Sequence, residues 1–324
     1  MTRRTLLESA AMMAIVLCTN ACAQSTYPSK PIRWVVGTAA GGGSDFVVRT
    51  VANRLSQQLG QTIIVDNRPG GGTTIAADLV AKSSPDGYTV LTADTGTIVF
   101  NTALFKKLPY TPTKDFVPVG MLAHFPLLLV TPATSSFPTV KAAIEDIRRN
   151  PGVHGYASAG VGSPHHIAME FAKDQAKLDV RHVPYKGAAP AIQDLVGGVV
   201  PLGVIDTAAG LQMIRAGKLK ALATFTKSRI ATLPDVPTLI ELGYIQSEAP
   251  CWISMVAPTG TPPDVVATLS AELAKALLHP DVQKKLRDFG LEPQPSTPAQ
   301  MKAVWDQADA YWPPLIRSKG IMID

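Results

Sequence analysis

The sequence predicts an α/β protein of two hinged lobes, each with a central, mostly parallel sheet, and three observations lead there. Short apolar runs alternate with stretches of helical spacing along most of the chain, the pattern of parallel strands joined through helices. Two of these units place a glycine-rich turn between strand and helix, one beginning at Gly37 and the other at Ala159. The chain has 324 residues, enough for a large core and more than one lobe usually holds.

The elements follow in order. Ile32–Val36 reads as a short strand, and Val47, Val51, Leu55 and Leu59 recur at helical spacing until Gly60 stops them. A strand at 62–65, a second glycine-rich turn at 69–72, a helix over 76–82 ended by Pro85 and a strand at 88–93 come next. Proline and lysine crowd residues 106–118, which reads as a surface connection, before the apolar run Leu127-Leu-Leu-Val130 opens a second α/β series. There Tyr156-Ala-Ser-Ala-Gly-Val-Gly-Ser163 repeats the opening pattern ahead of a helix from about Pro164, and strands follow at 180–184, 202–205 and 219–225. The run 252–257 could return the chain to the first lobe, which helices over 263–278 and 298–311 would close. Two lobes joined by two strands leave a cleft between them.

The N-terminus reads as an export signal. Arg3 and Arg4 give a basic start, residues 9–18 an apolar run too short to span a bilayer, and Ala21-Cys22-Ala23 a cleavage site. Thr2-Arg3-Arg4-Thr5-Leu6-Leu7 also resembles a twin-arginine signal. Cleavage after Ala23 would remove Cys18 and Cys22, leaving Cys251 without a disulfide partner. No later segment reaches about 18 uninterrupted apolar residues, so a soluble chain is expected. The net charge of +5 comes without a Lys/Arg run, which speaks against nucleic acid.

The first glycine turn opens a helix, where unpaired N–H groups and the positive end of the dipole favour an anion. A dinucleotide is one candidate, since Gly37-Thr-Ala-Ala-Gly-Gly42 approaches the glycine fingerprint and Asp66 ends the next strand. Ala39 stands where the second glycine should be, and export argues against such a cofactor. Ser44 reads as the helix N-cap, and Asp45 either complements the dipole or contacts a ligand. His165, His166 and Glu170 raise a metal site, but adjacent histidines point to different faces and no further ligand lies nearby in sequence. Ser158 lacks the glycine that a nucleophile elbow requires. Asp206 ends an apolar strand at a sheet edge, where it can cap the next helix or pair with a ligand amine or hydroxyl. Trp252 and Tyr185 either wall the cleft or pack in a core.

A set of ordered segments carries a resemblance. Tyr27-Pro-Ser-Lys-Pro-Ile-Arg33, Asp66-Asn-Arg-Pro-Gly70, Ser84-Pro-Asp-Gly-Tyr88, Leu108-Pro-Tyr110 and Lys114-Asp-Phe116 resemble segments of the receptors of tripartite tricarboxylate transporters, the Bug receptors. So do Val183-Pro-Tyr-Lys-Gly187, Ala216-Gly-Lys-Leu-Lys220, Leu233-Pro-Asp-Val-Pro237 and Ala257-Pro-Thr-Gly-Thr261. The resemblance implies a type II periplasmic binding protein without catalysis or cofactor, acting as a monomer. It would deliver a small carboxylate to membrane permease subunits, with lobes at 24–127 plus 252–324 and at 128–251. An exported oxidoreductase and a sensor adaptor are the alternatives. Family positions match Thr38, Ala39, Ala40, Gly43, Ser44 and Asp45 in the first loop, and Thr95 and Thr97 on the rim. In the second lobe they match Ala159, Gly160, Gly162, Ser163, His166 and Asp206. Two departures stand out: small residues replace the aromatic and prolines usual before the first glycines, and Val161 and Pro164-His165 replace polar residues in the second loop. Both suggest a wider pocket, suited to a bulkier or aromatic carboxylate.

Overall fold

The computed structural model describes residues 27–323. The expected signal peptide, with Cys18 and Cys22, lies outside them. Strand β1 (Ile32–Val36) leads to α1 (Gly43–Leu59), β2 (Ile63–Asn67), α2 (Thr74–Ala81), β3 (Thr89–Asp94) and β4 (Phe116–His124). A second series runs through β5 (Leu127–Pro132), α3 (Val140–Arg149), β6 (Gly155–Ser158), α4 (Pro164–Ala176) and β7 (Arg181–Pro184). It continues with α5 (Ala188–Val196), β8 (Leu202–Asp206), α6 (Thr207–Arg215) and β9 (Leu219–Thr224). Strand β10 (Trp252–Pro258), α7 (Pro263–Leu278), α8 (Pro280–Asp288), β11 (Glu292–Pro293) and α9 (Pro298–Ser318) close the chain.

The strands form a six-stranded sheet in the order β11-β4-β10-β3-β1-β2 and a five-stranded sheet in the order β7-β6-β8-β5-β9. The halves built on them are called the first and second lobes. Both sheets are mixed, so the expected parallel pairing is confined to β1 with β2 and β3, and to β6 with β7 and β8. Strands β10 and β5 run antiparallel to their neighbours. The reason is the route of the chain: both strands enter a sheet from the other lobe, so they start at the edge where the parallel strands end.

Strand β4 corrects the sequence reading most. Part of it falls in the stretch read as a surface connection, yet Val119, Met121, Leu122 and Ala123 are buried and the strand pairs with β10 inside the sheet. Pro118 and Gly120 interrupt its apolar period. The register shifts between Ile253 and Ser254 and between Met255 and Val256 show a locally irregular ladder of the kind that accommodates a proline. Helix α9 also runs past its expected end, through Pro313 and Pro314 to Ser318, held by the buried faces of Trp312 and Ile316.

Helix α1 buries Val47, Val48, Val51 and Leu55 in a core shared with α7 residues Leu269 and Leu273. Helix α9 ties the lobes together. Trp312 packs edge-on against Phe100 of the first lobe at 6.0 Å between ring centroids and against Phe171 of α4 at 5.2 Å, and Lys319 pairs with Asp174 of α4. Such aromatic contacts add about 0.5–1.5 kcal/mol each beyond burial. Trp312→Ala should therefore lower unfolding stability by about 3–5 kcal/mol in a urea titration. A loss below about 1 kcal/mol would show that the ring only decorates the lobe contact.

Candidate functional site

Four strand ends converge between the lobes: β1 and β3 from the first, β6 and β8 from the second. Open α/β sheets bind ligands at this carboxyl edge. A cleft of about 510 Å³ lies there, within the ~300–1,000 Å³ range of small-molecule sites. The first loop lines it with Thr38, Ala39, Gly41, Gly42, Gly43 and Ser44, and β3 contributes Asp94. The second lobe adds Pro164, His165, Asp206 and the small residues Gly187, Ala188, Ala189, Ala208 and Ala209. Phe125, Cys251, Trp252, Ile253 and Phe289 form an apolar wall. Trp252 borders the cleft and is also buried in the core, so both of its readings hold. The hydroxyl of Tyr185 donates to Asp194 at 2.6 Å.

The first loop keeps the N-terminus of α1 open. The helix begins at Gly43, so the N-cap position falls on Gly42, which has no side chain to cap with. This corrects the reading of Ser44 as the cap: it sits one residue inside the first turn. Gly41 has φ +85° and its N–H donates to Asp45 Oδ2 at 2.8 Å. Asp45 also accepts from Arg49 Nε at 2.9 Å and Asn67 Nδ2 at 3.0 Å. Burial raises its pKa, but those three partners outweigh it and hold the carboxyl below the ordinary range. Asp45 braces the loop from behind and lies outside the cleft lining, which lessens the repulsion an anion at the helix end would meet.

The second loop is arranged differently from the sequence reading. Ser163 Oγ caps α4 by accepting from His166 N–H at 3.3 Å and donates to Gly160 O at 2.7 Å, while Ala159 O accepts from Gly187 N–H at 3.2 Å. A Cβ on Gly162, which has φ +75°, would stand 2.8 Å from Leu104 of the first lobe, so this glycine serves a contact between lobes. Ala159, Gly160, Gly162 and Ser163 lie outside the lining; Pro164 and His165 are inside it. His166 turns away. Its Nδ1 accepts from Gly162 N–H at 3.1 Å and its ring stacks on His182 at 3.8 Å, with burial and then His182 pushing its pKa down to about 4.

Asp206 performs the capping role and a second one. Its Oδ1 accepts from Ala209 N–H at 2.9 Å and its Oδ2 from His165 Nε2 at 3.1 Å. Burial pushes the carboxyl up, but the hydrogen bond from His165 and those from the backbone N–H groups outweigh it and hold it below the ordinary range. An ionised carboxylate only accepts, so Nε2 of His165 carries a hydrogen. His165 Nδ1, in the first turn of α4, and Thr38 Oγ1, in the first loop, are buried without a hydrogen-bond partner among the described residues.

The two rim threonines are structural in this arrangement. Thr95 Oγ1 accepts from Trp252 N–H at 3.1 Å, and Thr97 donates from its N–H and its hydroxyl to Asp94 Oδ1 at 2.6 and 2.7 Å. Both are fully buried and outside the cleft lining, and Ala40 is exposed beside it. Sequence reasoning missed Asp94, although the signal that singled out Asp206, an acid ending an apolar strand, was present there too. It also chose His166 over His165. The rival chemistries find little support in the geometry. Asp66, the candidate ribose ligand, is held by Arg33 and Arg68. Ser158 Oγ lies 2.6 Å from His182 Nε2, but the serine is fully buried and outside the cleft lining. No group of three or more His, Cys, Asp or Glu among the described residues could hold a metal ion.

A carboxylate held below its usual pKa contributes stability that is complete above the unfolded-state value and is lost as pH falls through the folded one. Asp206→Asn keeps a capping oxygen and removes the charge. It should cost about 1.5–3 kcal/mol at pH 7, with wild type and variant converging in urea midpoint as pH drops below ~4. Equal midpoints at pH 7 would remove the Asp206–His165 bond from the stability of the site.

Residues 47–321 match the family model described as tripartite tricarboxylate transporter family receptor. A Pseudomonas sp. (strain P51) protein from the tcbD–tcbE intergenic region is 36% identical over 97% of this chain and 94% of its own length. An R. palustris protein solved with adipate is 32% identical, with TM-score 0.83 over 91% of this chain and 99% of that one. The periplasmic binding protein BugD is 33% identical, with TM-score 0.79 over 91% of this chain and 99% of that one. With a family model spanning most of the sequence and relatives aligned nearly end to end, the chain belongs to the tripartite tricarboxylate transporter receptors, a family of periplasmic solute-binding proteins.

Proposed function

We propose that this chain binds a small organic carboxylate in the cleft between its lobes and delivers it to the membrane permease subunits of a tripartite tricarboxylate-type transporter. In this reading residues 1–23 are removed on export to the periplasm. The lobes comprise 24–127 with 252–324, and 128–251, and the receptor works as a monomer. The observation that carries the reading is the uncapped N-terminus of α1 opening onto a cleft that contains no Lys or Arg among its described lining residues. Backbone N–H groups and the helix dipole then supply the attraction for an anion. The adipate in the R. palustris neighbour supports a carboxylate as the guest. The wall of Phe125, Trp252, Ile253 and Phe289 favours an acid with an apolar or aromatic body.

A ligand that touches both lobes favours the closed arrangement by its differential affinity, whereas one that touches a single lobe shifts nothing. A bound acid at about 100 times its dissociation constant should stabilise the protein by about 2.7 kcal/mol, a rise of several degrees in thermal midpoint. The methyl ester of the same acid should give little, having lost the charge that the helix end favours. Gly43→Val should abolish the rise, because a Cβ there would stand 2.7 Å from the Phe125 ring and displace either the loop or the wall. A thermal scan of aliphatic, hydroxy and aromatic acids beside their esters is the test. Esters that stabilise as well as their acids would overturn the anion reading.

A further inference from the structure

We infer that His165 supplies the positive charge that meets the ligand carboxylate, donating from Nδ1–H, and that binding therefore takes up a proton at this ring. The inference rests on the carboxylate reading above and assigns it a residue and a pH dependence. Three observations converge on it. His165 is the one side chain in the described cleft lining that can carry a positive charge. It is only 7% exposed, and its Nε2 is committed to Asp206 at 3.1 Å. Its Nδ1 is buried with no hydrogen-bond partner among the described residues, a state that costs free energy until something fills it.

The tautomer decides what can fill it. With Nε2–H held by the Asp206 carboxylate, neutral His165 presents a bare lone pair at Nδ1. A carboxylate oxygen also presents only lone pairs, so the two repel. A carboxylate can bond there only after Nδ1 gains a hydrogen. One proton from solvent adds to Nδ1, no bond breaks, and the ring becomes an imidazolium between two carboxylates. Asp206 is positioned to stabilise that cation, as charge-assisted hydrogen bonds to ionised partners are the stronger ones.

The groups around the ring fit this assignment. Asp94 and the Cys251 thiol line the same cleft. Burial pushes Asp94 up against the hydrogen bonds from Thr97, and it pushes Cys251 up together with the charges of Asp206 and Asp94. On α4 itself, His166 faces Gly162 and His182, with Glu170 4.0 Å from its Nε2. Asp206 is therefore the charged group in direct contact with His165. Thr38 Oγ1, the second unpartnered atom, sits on the facing loop and can donate to the other oxygen of the same carboxylate. A single carboxylate would then satisfy one orphaned atom from each lobe.

Isothermal titration calorimetry with adipate, malate, glutamate and benzoate, at pH 6 and pH 8 and in two buffers of different ionisation enthalpy, tests this. Binding that takes up a proton weakens as pH rises, so affinity should fall about tenfold from pH 6 to pH 8. The buffer dependence of the heat at pH 8 should report uptake of about one proton. His165→Gln, which cannot titrate, should flatten both signals, and its thermal midpoint reports whether it folds. Asp206→Asn should reduce the proton uptake. Affinity that is equal at both pH values with no buffer-dependent heat would overturn the inference while leaving the carboxylate reading standing. A folded His165→Gln that keeps the wild-type pH profile would do the same. No heat from any of the acids at either pH would overturn the carboxylate reading and this inference with it.

Discussion

The structure is organised around a double passage of the chain between its two sheets, where Phe125 N–H donates to Cys251 O at 2.7 Å. Residues 125 and 251 lie where the chain passes between the sheets, on its way out after β4 and on its way back before β10. With the two passages side by side, β10 lies between β3 and β4 and β5 lies between β8 and β9. The double passage fixes the direction of both strands, since each begins at the edge facing the other lobe. The mixed sheets follow from this constraint. So does the cleft, because the strands that run toward that edge must all end beside the pinned passage.

The cleft collects groups of opposite tendency. The open end of α1 offers N–H donors, while Asp94 and Asp206 bring acids to the facing strand ends. Those acids are controlled by neighbours: Asp94 by burial and the Thr97 donors, and Asp206 by its helix cap and His165. Asp45, which follows the first loop and could have opposed an anion, is turned back onto Gly41, Asn67 and Arg49. Each acid thus has a local partner that fixes its orientation, and the walls between them are apolar. An environment of this kind strengthens each polar contact that a ligand makes and penalises each one that it leaves unmade.

The lobes also meet away from the cleft floor. Thr207 at the start of α6 donates to Gly290 O of the first lobe, and Trp312 of α9 stands between Phe100 and Phe171. The cleft therefore lies between a pinned passage and a set of lobe contacts at its margins. The cleft is lined by residues of both lobes, and a ligand shifts the balance between their arrangements only by its differential affinity for them.

The sequence by itself determined the α/β class, the strands β1 to β3 and β5 to β10, the helices after both glycine-opened loops, the closing helices α7 and α9, and the family. Local patterns carry that information: apolar runs bounded by glycine and proline, and helical spacing ended by Gly60. It also marked Asp206 from its place at the end of a strand. Tertiary structure decided the rest. Strand β4 was hidden because Pro118 and Gly120 break its period, and only pairing with an irregular β10 makes it a strand. Ser44 lost the cap because the helix begins at Gly43, two residues earlier than a cap at Ser44 would require. Thr95 and Thr97 went to the interior and His165, not His166, came to the cleft, since neighbouring residues on a helix face different ways. Which of two adjacent histidines faces the cleft depends on the angle at which α4 packs against β8, and no local run of residues encodes that angle.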